Sequence, residues 1–240
     1  MQRDPVVRQA IERLVTANAI LYRKGVVDAF GHVSARHPHD SSRFLLSSSK
    51  APATIAPFDI MEHGLDGEPC AGHDGKPYLE RFIHSEIYKA RADVSAIVHS
   101  HSPSVIPFGC VAQAKLRPIF HMSSFLGEDV PCFDIRSLGS DETDLLISSR
   151  EHGAALAETL GRDATVVLMR GHGSTATGSS LQEAVFRAVY TEVNAGLQIA
   201  ASTMGDVTYL SPGEALSATI SNRAQIGRAW DLWASEAERR

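Results

Sequence analysis

The sequence predicts a single α/β domain, on three observations. The chain has 240 residues, the length of one ordinary domain or at most two small ones. Segments with helical periodicity alternate with short β-branched runs. No internal repeat, low-complexity tract or linker breaks that order. In residues 5–24 apolar positions recur at three- and four-residue steps, through Val6, Ile11, Leu14, Val15, Ala17 and Leu21, and Gly25 suits a helix stop. Strands are expected at 31–36 and 44–47, and the Gly-, Asp- and Pro-rich stretch 62–77 reads as hairpin and loop. A helix is expected over 79–91, short strands at 95–99 and 130–133, and a second helix over 141–160 that stops at Gly161. The apolar run 165–169 suits a buried strand. A long amphipathic helix over 179–203 places Leu181, Ala184, Val185, Ala188, Val189, Val193, Leu197 and Ala200 on one face.

Composition removes several functions. A hydrophobic fraction of 43% with 21% charged residues fits a globular chain and not a disordered one. No apolar run reaches the roughly 18 residues of a membrane span. The start, MQRDPVVRQAIERLV, lacks the apolar stretch of a secretory signal. A net charge of −5 argues against a partner held by phosphate contacts, so no nucleic acid is expected. Cys70, Cys110 and Cys132 are odd in number and widely spaced, which argues against a disulfide framework or a thiolate zinc site; a reducing cytoplasm is the expected setting. The eleven histidines are the unusual feature.

Their placement carries the chemistry. In Val98-His99-Ser100-His101-Ser102, a strand continuing to Ser102 would put His99 and His101 on one face, where two imidazoles can close on a divalent cation. Alone, such a pair equally describes surface histidines at a strand end. Arg170-Gly171-His172-Gly173 follows directly on the buried run 165–169, and glycines on both sides of a histidine permit close backbone approach. His172 then reads either as a turn residue or as a third ligand that leaves coordination positions open for substrate. Glu80 opens the 79–91 helix, where a carboxylate is a fourth ligand, a proton shuttle or a first-turn acid favoured by the helix dipole. His84, one turn on, either orients Glu80 or is a hydrogen-bonded core histidine.

Taken together, Gly31-His32-Val33-Ser34, Glu80-Arg81-Phe82-Ile83-His84, Val98-His99-Ser100-His101-Ser102 and Arg170-Gly171-His172-Gly173 resemble the class II aldolase/adducin family, in its motif order, over roughly residues 5–215. The resemblance implies a three-layer α/β/α fold with a central, mainly antiparallel sheet. It implies one domain over 1–240 with a C-terminal extension from about 215. It further implies one divalent transition metal per subunit (Zn, Mn, Fe or Co) held by His99, His101 and His172, and Glu80 as the catalytic carboxylate. Cyclic homo-oligomers, tetramers or higher, with sites between neighbouring subunits are the family's usual assembly.

Departures from the sugar-phosphate aldolases of that family narrow the chemistry. His32 stands where those enzymes carry the asparagine of Gly-Asn-x-Ser, and the later phosphate-cradling segment reads Ser47-Ser48-Ser49-Lys50. The segment 117–127, which supplies a tyrosine acid from the neighbouring subunit in such aldolases, holds Phe120 and His121 and no tyrosine. Ala29-Phe30-Gly31-His32, Phe82-Ile83-His84 and Trp230-Asp231-Leu232-Trp233 are instead similar to a branch that decarboxylates hydroxylated aromatic and pyridine carboxylic acids. The resemblance therefore implies metal-dependent decarboxylation of an anionic aromatic substrate, the metal stabilising the oxyanion beside the breaking C–C bond. In that reading Glu80 moves the proton, with His121 as a second acid, and Ser34, Ser47, Ser48, Ser49, Lys50, Arg81 and Phe120 bind the substrate. Phe82, Phe125, Trp230 and Trp233 supply ring-sized walls or core, and 222–233 covers the site. The alternatives are a sugar-phosphate aldolase or epimerase, and a non-catalytic adducin-like interaction module.

Overall fold

The computed structural model describes residues 4–139 and 141–238; residues 1–3, 140, 239 and 240, which the expected 1–240 domain and its C-terminal extension include, lie outside the described residues. Helix α1 (Pro5–Arg23) is started by Asp4, whose carboxylate accepts from the Val6 and Val7 N–H groups, with Pro5 in the first turn where no N–H is needed. Strands β1 (His32–Arg36), β2 (Arg43–Ser47) and β3 (Ile60–Gly64) follow. Then come α2 (Arg81–Ala90), β4 (Ala96–Ser100), α3 (Ile106–Cys110), β5 (Cys132–Phe133), α4 (Arg150–Leu160), β6 (Val166–Met169) and β7 (Gly173–Gly178). The chain ends in α5 (Leu181–Met204), α6 (Pro212–Arg223) and α7 (Ile226–Glu238). The strands form one sheet in the order β3-β2-β1-β4-β7-β6-β5, antiparallel throughout except for β5 beside β6.

Period-two alternation gives the sheet two apolar faces and the molecule three layers. Val33, Leu45, Val98 and Leu168 pack with Leu14, Leu21, Val185, Trp230 and Trp233 of α1, α5 and α7. Phe44, Leu46, Ile97 and Val167 pack with Ile83, Ile87, Leu156 and Leu160 of α2 and α4. The mainly antiparallel α/β/α architecture is the one the resemblance implies. No helix of the described residues is long and apolar enough to cross a membrane.

Several elements differ from expectation for identifiable reasons. The second helix starts at Arg150, where Ser149 accepts from the His152 N–H, and not at 141. Upstream, Thr143 Oγ1 and Asp144 Oδ1 accept from the Leu145 and Leu146 N–H groups, local bonds that compete with helix. In α5, Val193 and Leu197 of the expected apolar face are exposed. Buried Asn194 and Gln198 take the inner positions and bind both ways along 115–119: Asn194 to Ile119 N and Arg117 O, Gln198 to Arg117 N and Lys115 O. β7 reads as Gly-Ser-Thr-Ala-Thr-Gly, too polar to announce a strand, yet all six residues are buried between β4 and β6. The segment 222–233 does not cover a site in the protomer: Trp230 and Trp233 turn inward onto the α1 and α5 layer.

His63 on β3 shows how burial sets acid sensitivity. Its ring stacks on Phe44 at 5.1 Å, and neither ring nitrogen makes a well-formed hydrogen bond among the described residues. Burial pushes the imidazole down to about 4, against a smaller lift from the Met61 backbone. Because the unfolded ring titrates near 6.5, the unfolded state takes up the proton first. The stability tied to a neutral His63 is fully present above that value and is lost as the pH falls from about 6.5 towards 4. Between pH 7 and pH 5 the wild type should lose about 2 kcal/mol more unfolding free energy than His63→Leu, measured by urea titration at both pH values. Equal losses in the two proteins would refute this assignment.

Candidate metal centre

Strand β4 ends at Ser100, one residue after His99, so His101 follows the C-terminal end of this interior strand and does not continue it to Ser102. The tight turn after β6 presses on this strand end. A Cβ at Gly173 would collide with the Ser100 carbonyl, so only glycine lets the turn approach and bring His172 over the strand. The three Nε2 atoms converge: His99 to His101 is 3.2 Å and His101 to His172 is 2.9 Å. Nitrogens each about 2.1 Å from one cation sit roughly 3.0–3.4 Å apart in octahedral or tetrahedral geometry. Glu80, the N-cap residue of α2, places Oε2 3.6 Å from His99 Nε2 and Oε1 3.5 Å from His172 Nε2. Ligand atoms of the four side chains all lie within 4.8 Å of one another.

The surrounding bonds suit a cation. His172 Nδ1–H donates to the Leu145 carbonyl at 2.8 Å, which leaves Nε2 with a free lone pair. Thr175 donates to Met169 Sδ and lies 3.3 Å from His99 Nδ1, so it accepts the Nδ1 proton and frees His99 Nε2 likewise. Burial holds the His99 and His101 rings below the ordinary imidazole value, in the neutral form that binds metals. Burial alone would raise the Glu80 carboxyl, but the His99 and His172 rings overcome it and hold the group well below the usual carboxylate range. Burial would lower His172, but the Glu80 carboxylate raises it. A site that draws a proton onto this ring also draws a cation.

Sequence reasoning missed the part played by 145–147. The Ile147 N–H donates to Glu80 Oε1 at 3.1 Å while the Leu145 carbonyl serves His172. Leu145 holds φ at +66°, a left-handed conformation that is strained for a leucine, and the strain falls where the backbone must aim that carbonyl. Positive φ on a non-glycine has no signature in a single sequence; only the Thr143 and Asp144 turn formers hint at irregular backbone.

The centre opens into a cleft lined by Phe30, Gly31, His32, Ser49, Tyr78, Leu79, Leu146 and the Lys50 side, enclosing about 830 Å³ of empty space counted out to solvent. Gly31 holds φ at +94° and turns the chain into β1, setting His32 opposite His99. Of the expected substrate groups, Ser49 and Lys50 lie here, and the Lys50 ammonium is paired with Asp59 at 2.9 and 3.0 Å. Ser47 donates to the Tyr78 hydroxyl at 3.4 Å, and buried Ser48 lies under Gly75. Ser34 is completely buried behind His32. Arg81 binds the Gly67 and Tyr78 carbonyls and Glu68. His84 does not orient Glu80; it bonds to His32 and Ser34. Phe120 packs on Tyr190, and His121 is exposed with its carbonyl bound by Asn222, so neither lines this protomer's cleft. Arg170 pairs with Asp134 at 2.8 Å.

Comparison with known proteins points the same way. The family described as Class II Aldolase and Adducin N-terminal domain matches residues 12–199. A protein named Decarboxylase tropJ from Talaromyces stipitatus is 38% identical over 250 residues, covering 95% of this chain and 94% of its own. The 3,4-dihydroxyphthalate decarboxylase of Arthrobacter keyseri is 30% identical over 210 residues, 82% of this chain and 80% of its own. Among solved structures, an aldolase II superfamily protein from Pseudomonas syringae superposes with a TM-score of 0.80 at 24% identity, over 99% of this chain and 95% of that one. At that identity the likeness concerns the fold.

Proposed function

Because the chain belongs to the class II aldolase and adducin family, in which two relatives at 38% and 30% identity are named decarboxylases, we propose that it is a lyase that decarboxylates a hydroxylated aromatic or pyridine carboxylate with a divalent metal. The observation that carries this reading is the convergence of three bare Nε2 atoms beside the Glu80 carboxylate in an open cleft. His99, His101 and His172 would hold the ion, and Zn, Mn, Fe or Co all suit such ligands. When bound, a divalent ion there supplies Lewis acidity for the negative charge left as the C–C bond breaks.

The protein's own groups do the rest. Glu80 lines the cleft, with Oε1 tied to the Ile147 N–H and Oε2 4.0 Å from His32 Nε2. A carboxylate kept ionised in this position acts first as a base. It accepts the ring hydroxyl proton and then returns it to the ring carbon that carbon dioxide has left. Phe30 and Leu79, both exposed at the mouth, offer flat apolar contact to a ring. Serine hydroxyls at the cleft, Ser49 foremost, accommodate a remaining carboxylate, with Lys50 adding charge beside Asp59. A neighbouring subunit in a homo-oligomer of four or more closes the open side and brings the exposed His121 and Phe120 of its own chain. Three free thiols support a cytoplasmic setting.

The test is direct comparison of substrates. Protein reconstituted with Zn, Mn, Fe or Co is incubated with 3,4-dihydroxyphthalate, a hydroxylated pyridine dicarboxylate and fuculose phosphate. Carbon dioxide should be released from at least one aromatic acid. Aldehyde from the sugar phosphate, with no carbon dioxide from any aromatic acid, would replace this reading with an aldolase.

A further inference from the structure

Behind Glu80 the site continues inward as a single file of hydrogen bonds. His32 Nδ1 lies 2.7 Å from His84 Nε2, His84 Nδ1 lies 2.6 Å from Ser34 Oγ, and Ser34 Oγ lies 2.8 Å from the Tyr88 hydroxyl. All four side chains are buried, and the file runs between β1 and α2. Its one open end is His32 Nε2. That atom is buried, has no hydrogen-bond partner among the described residues, belongs to a residue lining the cleft, and lies 4.0 Å from Glu80 Oε2.

Counting protons gives the file a direction. Two imidazoles in contact inside the protein cannot both be cationic, and burial disfavours even one charge, so each ring carries a single N–H. If Tyr88 donates to Ser34, Ser34 donates to His84 Nδ1 and His84 Nε2–H donates to His32 Nδ1. The His32 proton then sits on Nε2. In this order every proton between the rings and hydroxyls of the file has an acceptor, and the one N–H left over belongs to His32, a residue lining the cleft. The opposite order leaves the Tyr88 hydroxyl proton with no acceptor among the described residues and turns a lone pair of His32 towards the Glu80 carboxylate. Both consequences are unfavourable.

We propose that this file fixes His32 as a neutral Nε2–H donor whose acceptor is an anionic oxygen of the substrate, with Tyr88, Ser34 and His84 as positioning residues. The identity of that oxygen rests on the aromatic carboxylate reading above. The chemistry gives a reason for a neutral donor: only an ionised carboxylate leaves as carbon dioxide, so the group that holds it must not hand it a proton. A locked neutral N–H does this, whereas an imidazolium is a much stronger acid.

The first measurement needs no turnover. Long-range ¹H–¹⁵N correlation on Zn-loaded, histidine-labelled protein reads the tautomer of each ring. His32 should be protonated on Nε2, and Tyr88→Phe should convert it to a mixture while the melting temperature shifts little. In kinetics, His32→Leu should raise KM by about 10- to 100-fold, the loss expected for one hydrogen bond to a charged group. His32→Gln, which keeps a neutral donor, should recover most of it, and Tyr88→Phe should raise KM more than it lowers kcat. An Nδ1-protonated His32 in the wild type, or a His32 signal indifferent to Tyr88→Phe, overturns the proposal. An Nε2-protonated His32 in a protein that decarboxylates no aromatic acid overturns the functional reading alone and leaves the donor assignment standing.

Discussion

The double variant His99→Ala/His101→Ala is expected to lose its bound metal and at least about a thousandfold in kcat/KM while remaining folded. The loss follows from the site's construction. Removing two of three converging Nε2 atoms leaves His172 and Glu80, too few groups to hold an ion in a cleft open to water. A Lewis acid is worth several kcal/mol of transition-state stabilisation, and each 1.4 kcal/mol is a factor of about ten in rate. Folding should survive because neither ring belongs to the apolar clusters that hold the helices on the two faces of the sheet. His99 is fully buried, and its Nδ1 has a long 3.3 Å contact with Thr175. His101 stands at the cleft, just beyond the strand. The two claims separate by calorimetry. In chelator the variant and wild type should unfold within a few degrees of each other, whereas added metal should stabilise the wild type alone, by about 4 kcal/mol when it exceeds Kd a thousandfold. Stoichiometric metal in the double variant, by elemental analysis after dialysis, would sink the centre as described.

The candidate ligands are legible because they lie where sequence and geometry are linked by short rules. His99 and His101 are two residues apart at the end of an apolar run, and His172 sits between two glycines directly after another. Strand periodicity and glycine chemistry suffice to suspect them, even though β4 stops at Ser100 and His101 reaches the centre from a loop. What was illegible depends on contacts between distant segments. Lys50 and the serines before it read as an anion cradle, yet Asp59 claims the ammonium. Ser34 reads as a substrate contact, yet it is a buried link between His84 and Tyr88. The 141–149 stretch reads as helix from its composition. Its actual work is to present the Leu145 carbonyl and the Ile147 N–H, which helical bonding would have occupied. A side chain's type is visible in sequence, but which partner saturates it is a property of the fold.

The same distinction explains the polar stripe of α5. Asn194 and Gln198 break the apolar pattern that a core helix should show, and each satisfies both an N–H and a carbonyl of the 115–119 strip. Buried amides of this kind are retained because the strip they hold has no sheet partner for its backbone groups. This strip runs directly into half-buried Phe120, which packs on Tyr190 of α5, and exposed His121, so α5 fixes the position of both.

Glu80→Gln is expected to lower kcat by about a hundred- to ten-thousandfold with metal still bound and KM changed by less than about threefold. The amide keeps the shape of the carboxylate, and its oxygen can still accept from the Ile147 N–H, so α2 and the 145–147 segment should keep their places. What disappears is the capacity to take a proton from the substrate hydroxyl and return it to the ring, and a positioned acid–base group contributes a factor of that size. Metal retention follows if the three imidazoles are the principal ligands and the carboxylate an auxiliary one, an order consistent with the tighter spacing among the Nε2 atoms, 2.9 and 3.2 Å, than between them and the carboxylate, 3.5 and 3.6 Å. Reaction in deuterium oxide provides the second readout. Wild-type product should carry deuterium on the ring carbon that lost carbon dioxide, and the residual turnover of Glu80→Gln should show a larger solvent isotope effect, because protonation of that carbon then limits the rate. A variant with kcat within threefold of wild type would remove Glu80 from the chemistry. A variant that loses its metal would instead make the carboxylate a structural ligand, and proton delivery would pass to another group reaching the ring.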